Sequence, residues 1–178
     1  MNTIKVKIKR FISSDNTSKF PPFDMHMWLS PTAMSELGIF DATQRAPQYI
    51  RVECSSPLNR FCIYGTVASL NSKVEVEEGY LWIPSEIVHK SIIFDKNTEV
   101  TVSPLVLSDC PIAESLTIKL KEDEVENWSE EESEKAIRNY KVQNGITFMN
   151  QCAFIKPRTK GVVVGVVDSI FPRPETHS

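Results

Sequence analysis

The stretch Leu29-Ser30-Pro31-Thr32-Ala33-Met34 has a counterpart in Ile83-Pro84-Ser85-Glu86-Ile87, which places Pro84 53 positions after Pro31. In each copy a strand-like run leads into a proline. Proline is tolerated in the first turn of a helix, where an amide hydrogen would have no intrahelical partner. Each half is therefore expected to pass from a strand into a short helix, and then to the apolar pairs Ile39-Phe40 and Ile92-Ile93. Two such β-β-helix-β halves within about a hundred residues predict a pseudo-symmetric closed barrel, which leaves short strands without exposed edges.

The rest of the chain supports a mainly β fold with short helices, an α+β class. Ile4, Val6 and Ile8 alternate with Lys5, Lys7 and Lys9, the period of a half-buried strand. Further strands are expected at Met27–Leu29, Tyr49–Cys54, Phe61–Val67, Val74–Val76, Tyr80–Ile83, Val100–Val102, Leu116–Leu120 and Gly161–Val167. Punctuation such as Ser55-Ser56-Pro57 and Asn71-Ser72 separates them. One long helix is predicted near 129–143. Ser129 and Glu132 form an S-x-x-E capping box, and Ala136, Ile137 and Tyr140 supply an apolar stripe that runs toward Asn144-Gly145. The acidic first turn, Glu130 to Glu132, suits the positive end of the helix dipole. The connector Ser108-Asp109-Cys110-Pro111 divides the chain into 1–107, the first barrel, and 108–178, a smaller barrel subdomain with that helix.

Chemistry is harder to find. His26, His89 and His177 are isolated, and no G-x-S-x-G, HExxH, Walker or G-x-G-x-x-G pattern occurs. Asp41-Ala42-Thr43 lacks the glycine of an aspartic-protease loop. Cys54, Cys62, Cys110 and Cys152 lack zinc or redox spacing. They read as reduced thiols, with a Cys54–Cys62 bridge across a hairpin as the alternative. No catalytic residue, metal or cofactor is expected, and the chain reads as no enzyme. With 20 basic against 23 acidic side chains there is no positive excess for nucleic acid. No apolar run reaches the roughly 18 residues of a membrane span, and Met1–Arg10 has no signal-peptide core. A cytoplasmic or nuclear location is expected. Trp28, Trp82 and Trp128 are assigned to the core ahead of a partner surface.

Four motifs, in order, carry a resemblance. Leu29-Ser30-Pro31-Thr32-Ala33-Met34-Ser35-Glu36-Leu37 is similar to Leu-Pro-Pro-Ser-Ala-Leu-x-x-Leu, and Ala46-Pro47-Gln48-Tyr49-Ile50 falls where the pattern has Tyr-Pro-Met-Leu-Phe. Glu77-Glu78-Gly79-Tyr80-Leu81-Trp82-Ile83-Pro84 matches Glu-Glu-Gly, two residues, an aromatic, an aliphatic and Pro. Ala136-Ile137-Arg138-Asn139-Tyr140 resembles Ala-Leu-Arg-Asn-Phe, followed by Gly145 and Ile170-Phe171-Pro172. Together they resemble the amino-terminal domain of the ubiquitin fusion degradation protein 1 family. Departures are Ser30 in place of a proline, a first strand only loosely family-like, and a longer Gln151–Lys160 hairpin region.

The resemblance implies a double-psi β-barrel followed by a smaller β-barrel. It also implies a non-enzymatic adaptor that binds polyubiquitin and, with the nuclear protein localization 4 partner, brings substrates to the valosin-containing AAA ATPase for extraction and proteasomal degradation. An amino-terminal cargo domain of a ribosome-maturation or peroxisomal AAA ATPase is the alternative. The family's F-x-G-x-G box and partner-binding tail lie beyond the barrels, so the chain is expected to be an excised domain or a short paralogue. For partner contact, Leu107, Pro111 and Ile112 are the candidates, lining a groove between the barrels, since binding sites favour domain junctions.

Overall fold

The computed structural model describes residues 2–13, 19–21, 25–39, 48–57, 59–68, 74–90, 92, 95, 97–142, 145–155 and 163–172. Phe40, Asp41–Thr43, Asn71-Ser72, Ile93, residues 156–162 and His177 fall outside them. The fold is mainly β with short helices, in two compact units, Met1–Cys110 and Pro111–Ser178.

In the first unit, β1 (Ile4–Phe11), β2 (Gln48–Ser56), β3 (Asn59–Val67), β4 (Tyr80–Pro84) and β5 (Glu99–Pro104) form one curled sheet in the order β3-β2-β5-β1-β4. Alternation sets which face is buried. Ile4, Val6 and Ile8 turn inward with Ile50, Val52, Ile63, Leu81, Ile83, Val100 and Val102. A fully buried aliphatic of this kind contributes about 1.5–3 kcal/mol relative to exposure.

The segment at Met27-Trp28, expected as a full strand, makes only isolated bridges, but it makes them to both edges of the sheet. Met27 N–H donates to the Thr66 carbonyl (2.8 Å) and Ala68 N–H donates to that of Met27 (2.9 Å), a parallel contact with β3. On its other side Trp28 pairs antiparallel with Trp82 of β4. Both edges are thus bonded at this point, and the ladder senses around the ring read alike in either direction from the Trp28–Trp82 pair. A parallel pair flanks it on each side, β4 with β1 and Met27 with β3, and the remaining pairs are antiparallel.

Helix α1 (Pro31–Glu36) forms as its proline predicts. Ser30, the departure from the family pattern, caps it by accepting a hydrogen bond from Ala33 N–H at 3.2 Å. Pro84 does not start a helix. It ends β4, still in parallel register with Phe11, and a turn follows, closed by Ile87 N–H to the Pro84 carbonyl at 3.2 Å. The ladder to β1 claims this proline, and the two halves of the repeat differ here. Ile39 and Ile92, after the two prolines, are both buried.

Cys54 and Cys62 are free thiols. Cys54 lies opposite Phe61 and Cys62 opposite Glu53, so the two cysteines point to opposite faces of the hairpin and the alternative of a bridge is excluded.

In the second unit β6 (Ser115–Lys119), β7 (Cys152–Ile155) and β8 (Val163–Phe171) form a sheet in the order β6-β8-β7, with α2 (Glu122–Val125), unforeseen in the sequence, and α3 (Glu130–Asn139). The Gln151 side chain is buried and fastens the preceding loop. Its Oε1 accepts from Phe148 N–H at 3.3 Å and its Nε2 donates to the Ile146 carbonyl at 3.1 Å. Ser129 caps α3 by accepting from Glu132 N–H at 3.1 Å.

Helix α3 corrects two expectations. Ile137 is 76% exposed, whereas Ala136 is buried and Tyr140 half-buried. Neighbouring helix positions lie about 100° apart, so Ala136 and Tyr140, at i and i+4, share the inner face and Ile137 turns away. The helix also stops at Tyr140, whose ψ of 131° is extended, short of Asn144-Gly145. Asn144, toward which the stripe was expected to run, lies outside the described residues.

Candidate partner-binding surface

Strand β1 turns Lys7, Lys9 and Phe11 outward, beside Tyr80, Trp82 and Pro84 of β4 in register. Trp28, opposite Trp82, faces the same way. Phe20 lies across this outer face, with its ring centroid 4.4 Å from Phe11, 5.3 Å from Trp28 and 5.4 Å from Trp82. Val74 and Val76 pack onto the cluster. The alternation that predicted a strand at Val74–Val76 therefore arises from packing on aromatic rings, because those residues pair with no strand. Trp28 is buried, in this outer cluster and not inside the curled sheet. Trp82 is half-buried, and Trp128, in the second unit, is half-buried with no hydrogen-bond partner for its indole nitrogen.

Two ammonium groups converge on Trp82. Lys9 Nζ lies 4.0 Å from the Tyr80 centroid and 5.2 Å from that of Trp82, and Lys19 Nζ lies 5.2 Å from Trp82 and 5.3 Å from Phe20. Contacts of this kind are worth about 0.5–1 kcal/mol each at exposed sites. Lys9 also approaches Glu77 Oε2 at 3.5 Å. None of this was legible beforehand, because the face depends on a parallel pairing of segments some 70 positions apart.

The outer face of β2 and β3 carries a second polar group. Arg51 Nε donates to Cys62 Sγ at 3.2 Å, and its Nη2 lies 3.2 Å from Glu53 Oε2. The Cys62 contact raises the Arg51 pKa although burial opposes it. Burial, with Cys62 alongside, pushes the Tyr64 phenol up to about 12. Of the histidines, His26 Nδ1 shares a hydrogen bond with Thr66 Oγ1 at 2.5 Å, and His89 is half-buried.

The three residues singled out by sequence are exposed. Leu107 opens a one-turn 3-10 helix, Leu107–Asp109, at the end of the first unit, and it and Val106 are each 47% exposed. Pro111 and Ile112 begin the second unit, Ile112 at 87% exposure. Among the described residues no three His, Cys, Asp or Glu side chains gather as metal ligands, and no helix is long and apolar enough to cross a membrane. No protein-family model matches the chain, and no curated protein matches it.

Proposed function

We propose that this chain is a non-enzymatic adaptor module that binds ubiquitin chains. In this role it hands ubiquitylated proteins to a valosin-containing-protein-type AAA ATPase, together with the nuclear protein localization 4 partner, in the cytoplasm or nucleus. The observation that carries the reading is the palindromic order of ladder senses about Trp28 and Trp82. That order fits a double-psi β-barrel, and it occupies the part of the chain that holds the Leu29–Leu37 and Glu77–Pro84 motifs. The smaller sheet with α3 holds the Ala136–Tyr140 motif, which supports reading it as the smaller barrel of that architecture.

Recognition in this account is shallow, apolar and repeated along a chain of ubiquitins. Val106 and Leu107 supply exposed aliphatic contact on the first unit. Capture on immobilised tetraubiquitin tests this assignment: Leu107→Asp should weaken capture about tenfold, as burying a charge at a contact centre does. Undiminished capture by the variant would remove Leu107 from the site.

A further inference from the structure

Residues 74–78, Val-Glu-Val-Glu-Glu, lie on the aromatic and lysine face of the first unit as a ligand would. Val74 and Val76 are half-buried against the aromatic cluster, while Glu75, Glu77 and Glu78 are exposed. Lys19 Nζ donates to the Glu75 carbonyl at 2.8 Å, and Lys9 pairs with Glu77 at 3.5 Å. Among the described residues no backbone–backbone hydrogen bond holds 74–78, and the first such anchor is Gly79, whose carbonyl accepts from Lys7 N–H at 2.9 Å. Among the described residues the segment is held by two half-buried valines, one exposed hydrogen bond and one exposed ion pair. An ion pair of that kind is worth about 0–1 kcal/mol.

We propose that residues 74–78 are a displaceable strap, and that the face beneath it binds an extended peptide of a partner protein in which aliphatic and acidic residues alternate. The strap itself defines the ligand class. An extended chain places alternate side chains about 6.8 Å apart on one side, so aliphatic residues meet the aromatic cluster as Val74 and Val76 do, an acid meets Lys9 as Glu77 does, and Lys19 takes a backbone carbonyl as it takes that of Glu75. Nucleic acid fits less well, because a base needs an open ring face to stack on and the Trp82 ring is already attended by Phe20, Lys9 and Lys19. This second binding activity does not depend on the ubiquitin reading.

The test is fluorescence anisotropy of a labelled peptide, Val-Glu-Val-Glu-Glu-Gly, titrated with the whole chain. Freeing the face by Val74→Ser with Val76→Ser should tighten peptide binding about tenfold, since the strap no longer holds the competent state at a minor fraction. Glu77→Gln, a surface change that leaves the aromatic cluster untouched, should tighten it by a smaller factor. Adding Lys9→Glu to either background should abolish binding, and Val-Lys-Val-Lys-Lys-Gly should not bind. Equal affinity of the wild type and both loosened variants, or no binding by variants that keep the wild-type circular dichroism, would overturn the proposal. So would stronger binding of an oligothymidylate than of the acidic peptide, or self-association of the loosened variants that occupies the face.

Discussion

Trp28 and Trp82 exchange both of their backbone hydrogen bonds, each N–H donating to the other's carbonyl, at 2.9 and 3.0 Å. This pair joins the segment before α1 to the edge of β4, and with the Met27 contact to β3 it ties both edges of the curled sheet together. The amides of Trp28, Trp82 and Ala68 should therefore exchange with solvent as slowly as the inner amides of β1 and β5. Exchange of the Trp28 amide at the rate of an open loop would show that the edges are not tied.

In the second unit, a Cβ added at Gly165 would lie 2.6 Å from Leu120 Cδ2, 2.7 Å from Ile118 Cγ2 and 3.0 Å from the Lys119 carbonyl oxygen. Backbone and a β-branched side chain give way poorly. Gly165→Ala should destabilise this unit by about 1–3 kcal/mol, as overpacking a core does. Urea denaturation checks it, and an unchanged midpoint would contradict the close approach of β6 to β8.

Helix α3 separates neighbours by exposure. Ile137→Ala should change stability by no more than about 0.5 kcal/mol, the ordinary range for a surface site, whereas Ser129→Ala should cost about 1 kcal/mol through the lost cap. A cost of several kcal/mol at Ile137 would place that side chain in a core.

The inward alternation of β1 and the Ser129 cap of α3 were legible in the sequence because each is local. Val6 needs only its neighbours to reveal a two-residue period, and Ser129 with Glu132 announces a helix start by spacing alone. What was not legible depended on distant pairing. Pro84 follows a strand as Pro31 does, yet the register with Phe11 decides that Pro84 extends that strand. Val74 and Val76 show a strand's alternation because they pack on the aromatic cluster, a surface that exists only after β1 and β4 have paired.

Tyr64 couples the outer face of the first unit to pH. Its phenol is pushed up to about 12, mainly by burial, against an ordinary value of 10.0. The folded state holds this proton where the unfolded state has released it, so the stabilising contribution is complete below pH 10 and is lost as pH rises toward 12. Unfolding followed across that range should show falling stability, and Tyr64→Phe should flatten the fall. A Tyr64 that ionises at the ordinary phenol value would contradict the burial.

The central claim, a module that recognises ubiquitin chains, is met most directly by calorimetric titration of the whole chain with monoubiquitin and with tetraubiquitin. A shallow site gains little from one contact, and linked ubiquitins raise the effective concentration for the next. Monoubiquitin should bind weakly and the tetramer clearly more tightly. No heat of binding to either at high micromolar concentration would contradict that claim and favour a cargo-recognition domain of an AAA ATPase.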